Sequence, residues 1–240
     1  MIFKKQMITA HRGASGYHHE NTILAFQKAI ELGVDGIEFD VRRSKDNVLI
    51  ITHDDNIDGI KFNTLTYAEA NYYVNAKGFI IPKLIDVLET FQNKVFMDIE
   101  LKEEGYEEDI INIIKKYLRY DQFFIRSFVD RQLRKVKKID SNIKTGLLLG
   151  VGKPRFGFLS RLFELFPLFR IIRTRPDFVS PHYLLMKFGY TKRMHILRKP
   201  VIVWTVNDEK LIADFLLKKK VDGLITDYPD KALSILNQKS

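Results

Sequence analysis

Two carboxylates, Glu38 and Asp40, stand two residues apart inside an apolar strand pattern, Gly36-Ile-Glu-Phe-Asp-Val41. Side chains spaced by two on a strand share a face, so this pair points one way. A second apolar run, Val95-Phe-Met-Asp-Ile-Glu-Leu-Lys102, repeats the device. Asp98, Glu100 and Lys102 share one face, and Met97, Ile99 and Leu101 share the other. Burying such charges under apolar helices would be very costly. Gathered at an open mouth, Glu38, Asp40 and Glu100 instead make a three-carboxylate set whose mutual repulsion a divalent cation neutralises. Ligation by oxygen alone favours Mg2+, Ca2+ or Mn2+ over zinc or copper.

Two imidazoles and two cations border that set. His11 ends the run Met7-Ile-Thr-Ala-His11 and is followed at once by Arg12 and Gly13, while His53 ends the short run after Glu38 and Asp40. A metal, two titratable imidazoles, Arg12 and Lys102 together form a site for a phosphate ester. The cations take its non-bridging oxygens, and the imidazoles move protons on and off the bridging ones. Asp98 reads as a partner one layer below Glu100. Asp54 reads as an orienting group for His53 or as a turn residue, and His182 as a mouth-facing or capping residue. His18 and His19 read as loop residues, because zinc-type sites need further partners at suitable spacing. His195 falls in a helical pattern. Trp204, the only tryptophan, reads as core from its strand alone.

Such chemistry needs a scaffold that collects strand ends. Eight compact apolar runs recur along the chain, at 7–11, 36–41, 95–101, 123–128, 145–149, 177–180, 201–206 and 223–226. Amphipathic helical patterns lie between most of them, as at 106–118 and 209–219, and 21–32 reads as a helix capped by Asn21 or Thr22 and stopped at Gly33. Near-continuous apolar strands separated by helices imply a covered parallel sheet. Eight such units in 240 residues suit a (β/α)8 TIM barrel, typically ~250 residues long. The competing open, doubly wound sheet would carry a Gly-rich phosphate turn after its first strand, and His11-Arg-Gly-Ala-Ser-Gly16 is not one. The chain reads as one domain over 1–240. A small excursion follows the second strand, a loop or subdomain at about 54–81 lying over one barrel mouth.

The absence of cysteine excludes a disulfide framework and thiolate ligands. No secretory signal pattern opens the chain, and no apolar run reaches the ~20 residues of a membrane span. A soluble, cytoplasmic protein is expected. The formal charge of +9 is spread out, and its local concentrations at 131–138 and 218–220 fall on helical patterns, as solvated faces do. No recognition element for nucleic acid accompanies it. One segment is unusual: 156–172 holds eleven large apolar residues among seventeen, interrupted by Pro167 and flanked by Lys153, Arg155, Arg173 and Arg175. It reads as a barrel-covering helix or, placed at the mouth, as a peripheral membrane contact through 153–175 that delivers lipid-derived substrate.

His11-Arg-Gly, Glu20-Asn-Thr with Ala25-Phe26, Gly36-Ile-Glu-Phe-Asp-Val41 and His53-Asp54 resemble, in order, the signature of the glycerophosphodiester phosphodiesterase family. Ile81-Pro-Lys-Leu, Asp98-Ile-Glu-Leu-Lys102, Ser127-Phe128, Trp204-Thr-Val-Asn207 and Thr226-Asp-Tyr-Pro229 carry the resemblance over almost the whole chain. It implies a metal-dependent (β/α)8 barrel that cleaves small-molecule glycerophosphodiesters to an alcohol and glycerol 3-phosphate. It further implies Glu38, Asp40 and Glu100 as metal ligands and His11 and His53 as general acid and base. Arg12 and Lys102 would hold the phosphate, and Trp204 would pack on the glycerol or its neighbour. The chain departs from the family at 55–63, where leucine, arginine, threonine and glycine are common, and at His18-His19, where a proline is. The first departure bears on the leaving alcohol. Phospholipase D-like cleavage of lyso- or intact phospholipids is the alternative activity, and a non-catalytic phosphate- or lipid-binding barrel the alternative class.

Overall fold

A computed structural model of the protein describes residues 5–150 and 162–238. Eight parallel strands form the frame, in the spatial order β10-β11-β1-β2-β6-β7-β8-β9. They are β1 (Met7–Ala10), β2 (Gly36–Arg43), β6 (Phe96–Leu101), β7 (Phe123–Ser127), β8 (Thr145–Leu149), β9 (Phe178–Pro181), β10 (Ile202–Val203) and β11 (Gly223–Thr226). Parallel bridges Val179–Val201 and His182–Trp204 join β9 to the β10 side and bring the sheet round to near-closure. The barrel reading of the sequence holds, with all eight strands where the apolar runs lie. The 201–206 run narrows to a two-residue strand; beyond Val203 the chain keeps the bridge at Trp204 and a hydrogen bond from the Val206 amide to the Ile225 carbonyl at 3.0 Å.

Two apolar layers follow from strand alternation. Phe39, Val41, Met97, Ile99 and Leu101 point outward and pack under helices α1 (Ile23–Glu31), α3 (Leu84–Phe91) and α4 (Glu107–Tyr117). Met7, Phe124, Phe178, Ile202 and Ile225 fill the barrel axis, so the interior is packed rather than hollow. Thr22 caps α1, its hydroxyl accepting from the Ala25 amide. The helical pattern at 209–219 divides into Glu209–Ala213 and a π-helical turn, Asp214–Lys218. Pro167 interrupts the apolar segment and starts the helix Leu168–Thr174, as its missing N–H allows only at a first turn.

Between β3 (Leu49–Ile51), which pairs antiparallel with β2, and α3, the chain makes its excursion. There β4 (Asn56–Ile57) and β5 (Ile60–Lys61) form a small hairpin, followed by α2 (Tyr67–Asn75) with a Thr66/Glu69 capping box. Ile57, Phe62, Leu65, Ala70 and Val74 give this piece its own apolar cluster, closed by Ile50 and Ile81 from the barrel side.

Candidate active site

Register builds the acidic cluster. Along the β2–β6 ladder Glu38 stands opposite Asp98 and Asp40 opposite Glu100, so all four carboxylates turn inward at the carboxyl end of the barrel. Ligand atoms of Glu38, Asp40 and Glu100 lie within 4.8 Å of one another, and all three residues are buried. Lys102 Nζ sits 3.0 Å from Asp40 and 2.5 Å from Glu100. Arg12 Nε lies 3.3 Å from Asp40, and the Arg12 amide donates to Glu38 at 2.9 Å. Arg126, buried on β7, pairs with Asp98 and reaches Glu38 at 3.3 Å. Asn21 donates to Asp40 at 2.9 Å.

These contacts divide the acids. Burial pushes the Asp40 carboxyl up, but Lys102 and Arg12 outweigh it and hold Asp40 well below the usual carboxylate range. Burial pushes Glu100 up, Lys102 opposes it, and the charges of Asp40 and Glu38 add to the rise. Burial drives Asp98 higher still, beyond what Arg126 offsets. Four buried carboxylates thus face three cations, one of which, Arg12, is shared with Glu20 at 2.8 Å. The cluster is short of positive charge and offers three oxygen donors at one point, which fits a divalent cation.

Each histidine has a carboxylate behind it. His11 Nδ1 donates to Asp227 at 2.7 Å, a contact that leaves Nε2 as the proton-accepting nitrogen, approached by the Thr205 hydroxyl at 3.5 Å. Asp227 also accepts from Ser15 at 2.8 Å and from Asn207 at 2.5 Å. Although burial acts the other way, these hydrogen bonds hold its carboxyl at about 2. His53 Nδ1 contacts Asp54 at 2.9 Å. Arg42, itself paired with Glu103, clamps the His53 carbonyl with two N–H groups at 2.9 and 2.8 Å. The His11 loop is tightly fixed. Arg12 and Gly13 both have positive φ, 52° and 81°, and a Cβ at Gly13 would come within 2.6 Å of the Ala25 backbone. Only glycine lets the loop lie this close to α1.

A cavity of about 390 Å³ unites these groups. His11, Arg12, Glu38, His53, Glu100, Lys102 and Trp204 all line it, with Arg126 and Phe128; Asp40 lies behind them, 1% exposed. Trp204 forms an aromatic wall edge-on to Phe128 at 5.6 Å and to His182 at 5.1 Å. Gly150 makes room for it, since a Cβ there would meet the Phe128 ring at 2.4 Å and Trp204 at 3.1 Å. His182 both faces this wall and caps the Leu184 amide. His195 lies away from the cavity, bonded to Asp222, and His19 stacks on Phe79. Sequence reasoning gave no role to Arg126, Asp227, Arg42 or Phe128, although Phe128 and Asp227 stand in motifs that carry the resemblance. A lone arginine at an inward position of the apolar strand Phe123-Phe-Ile-Arg-Ser127 was the signal for the first. An acid directly after the last strand was the signal for the second.

The sequence model of the glycerophosphoryl diester phosphodiesterase family matches residues 11–231. A glycerophosphodiester phosphodiesterase of Caldanaerobacter subterraneus is 33% identical over 256 residues, covering 98% of this chain and 99% of that one. The crystal structure of a glycerophosphodiester phosphodiesterase from Thermotoga maritima superposes with a TM-score of 0.78 at 26% identity, covering 96% and 98% of the two chains. An Oleispira antarctica phosphodiesterase, solved in complex with the product sn-glycerol-3-phosphate, gives a TM-score of 0.80 at 24% identity over 97% of each. The chain belongs to the glycerophosphoryl diester phosphodiesterase family, enzymes that hydrolyse glycerophosphodiesters.

Proposed function

We propose that this enzyme hydrolyses glycerophosphodiesters to an alcohol and glycerol 3-phosphate with the help of a divalent cation, through proton transfers by His11 and His53. The observation that carries this reading is the convergence of both imidazoles, Arg12, Lys102 and the carboxylate cluster on one cavity. Glu38, Asp40 and Glu100 would hold Mg2+, Ca2+ or Mn2+, which supplies Lewis-acid polarisation of the phosphoryl group when bound. Arg12 and Lys102 neutralise the phosphate oxygens from the cavity wall. Asp227 keeps His11 in the tautomer whose Nε2 accepts a proton, and Asp54 does the same for His53. One imidazole takes a proton from the attacking oxygen, that of water or of the adjacent glycerol hydroxyl with water then opening the cyclic diester, and the other returns one to the leaving oxygen. Trp204 gives the glycerol end an apolar wall. Residues 1–240 act as one catalytic domain, with the excursion at 54–81 overhanging His53.

Release of glycerol 3-phosphate from glycerophosphocholine, with and without chelator, tests the proposal. His11→Ala and His53→Ala are expected to lose turnover while keeping the far-ultraviolet spectrum of the wild type. Near wild-type rates in either variant, or full activity after exhaustive chelation, overturn it. Cleavage of a lysophospholipid is the second reading, favoured by the Phe128–Trp204 wall at the cavity edge. Rates on glycerophosphocholine and lysophosphatidylcholine under the same conditions discriminate between them.

A further inference from the structure

The apolar segment singled out in the sequence starts outside the described residues, at 153–161, and its described part does not bury itself. Phe163 is 57% exposed, Phe169 63% and Ile172 65%, with Phe188 at 74% on a neighbouring loop. Ile171 and Thr174 form the buried side of the short helix, so the opposite side presents its apolar groups to solvent. Exposed large apolar groups are ordinary when scattered; a contiguous group of this kind marks a surface that meets something.

Two arginines fix this ridge to the rest of the molecule. Arg193 lies over the Phe166 ring at 4.4 Å and donates to the carbonyls of Leu165 and Phe188 at 3.0 and 3.2 Å. It therefore ties the ridge to the Phe188 loop. Arg170 pairs with Asp130 and donates to the Phe128 carbonyl at 2.8 Å. Phe128 lines the catalytic cavity beside Trp204. Arg170 thus ties the ridge to the backbone of a residue that walls the cavity.

The charge around the ridge is predominantly basic, with Asp130 offsetting Arg170. Over 162–175 and 184–193 the sequence carries Arg170, Arg173, Arg175, Lys187, Lys192 and Arg193 against a single acid, Glu164. A protruding aromatic and aliphatic surface with a basic rim is the chemistry of an interfacial anchor: rings enter the headgroup layer and the cations meet anionic lipid. A protein partner of the same character would have to be acidic and apolar together. A second copy of this chain, carrying a net +9, would set two basic rims against each other.

We propose that the ridge formed by Phe163, Phe166, Phe169, Ile172 and Phe188 docks the enzyme on anionic membrane surfaces, with the cavity mouth held beside the headgroup layer. Docking of this kind goes beyond hydrolysis itself and is measured without turnover, so the two readings fail separately.

Co-sedimentation at low salt with vesicles of equal parts phosphatidylglycerol and phosphatidylcholine, against pure phosphatidylcholine vesicles, is the test. The wild type is expected to pellet with the anionic vesicles only. The variant Phe163→Ser/Phe169→Ser/Ile172→Ser, altered only at exposed positions, is expected to bind about tenfold more weakly, with unchanged turnover of glycerophosphocholine in solution. Arg173→Gln/Lys187→Gln is expected to weaken anionic binding about 25-fold, about fivefold for each charge removed. The proposal is overturned if the wild type stays in the supernatant or if the triple serine variant pellets like the wild type. It is equally overturned if sedimentation velocity shows that the ridge mediates self-association, with a wild-type dimer that the serine variant abolishes.

Discussion

His11 and Asp227 are 216 residues apart in sequence, yet Nδ1 of one lies 2.7 Å from Oδ1 of the other. The contact joins the ends of β1 and β11, adjacent strands with Ala10 opposite Thr226, so closing the barrel is what sets the imidazole in place. Asp227→Asn keeps the shape but offers the ring either a donor or an acceptor, and the proton-accepting nitrogen is no longer defined. We expect kcat to fall roughly 10²- to 10⁴-fold with KM little changed. Steady-state kinetics check this. An unchanged kcat would remove Asp227 from the proton path.

The same aspartate sets a pH response. A carboxyl held below its unfolded value adds stability that is complete above that value and lost as pH falls through the folded one. For Asp227, held at about 2, the window runs from about 4 in the unfolded chain down to that value. Urea unfolding of wild type and Asp227→Asn should therefore differ most near neutral pH. The gap should narrow below about pH 4. A gap that widens on acidification contradicts the assignment.

Glu100 is a carboxylate whose burial and acidic neighbours push it up, so an added cation relieves it. Mg2+ or Ca2+ is expected to raise the thermal midpoint of the wild type, by the equivalent of about 2.7 kcal/mol at a hundredfold excess over Kd. Glu100→Gln removes a donor and should abolish that shift along with activity. Differential scanning calorimetry with and without the cation reads it directly, and a variant that keeps the full shift refutes the role.

Arg126 is 2% exposed and bridges Asp98 and Glu38. Arg126→Met leaves two carboxylates buried without that partner, a loss of about 3–5 kcal/mol. Adding Asp98→Asn should recover part of it. Chemical denaturation of the single and double variants measures both effects, and additivity of the two losses argues against the bridge.

Gly150 admits the Phe128 and Trp204 rings. Gly150→Val should push this wall into the cavity and raise KM several-fold, with fold and thermal stability little changed. Kinetics on glycerophosphocholine test it, and an unaltered KM would place the wall away from the substrate.

Most of the barrel was legible because strands buried on both faces leave continuous apolar runs, and because their acidic exceptions fell in phase. Glu38, Asp40, Glu100, His11 and His53 could be placed at one mouth because each interrupts or ends an apolar run that the barrel reading collects, and the family resemblance names the same set. Arg126 and Asp227 could not, because each acts through a partner on another strand. Sequence spacing carries no information about that partner until the strand order is known. Periodicity also fails to separate an α-helix from the π-helical turn at Asp214–Lys218, and it does not reveal which side of 162–174 remains bare.

The β2–β6 ladder places Asp40 opposite Glu100 and Glu38 opposite Asp98. A slip of one residue along it would drive these four charges into the oily layer beneath the helices and turn Phe39, Ile99 and their neighbours toward the opening. Threading errors there cannot yield a stable but idle barrel. Correct assembly and the gathering of the proposed site are therefore selected together during folding, and the acids of that site also act as proofreaders of the sheet.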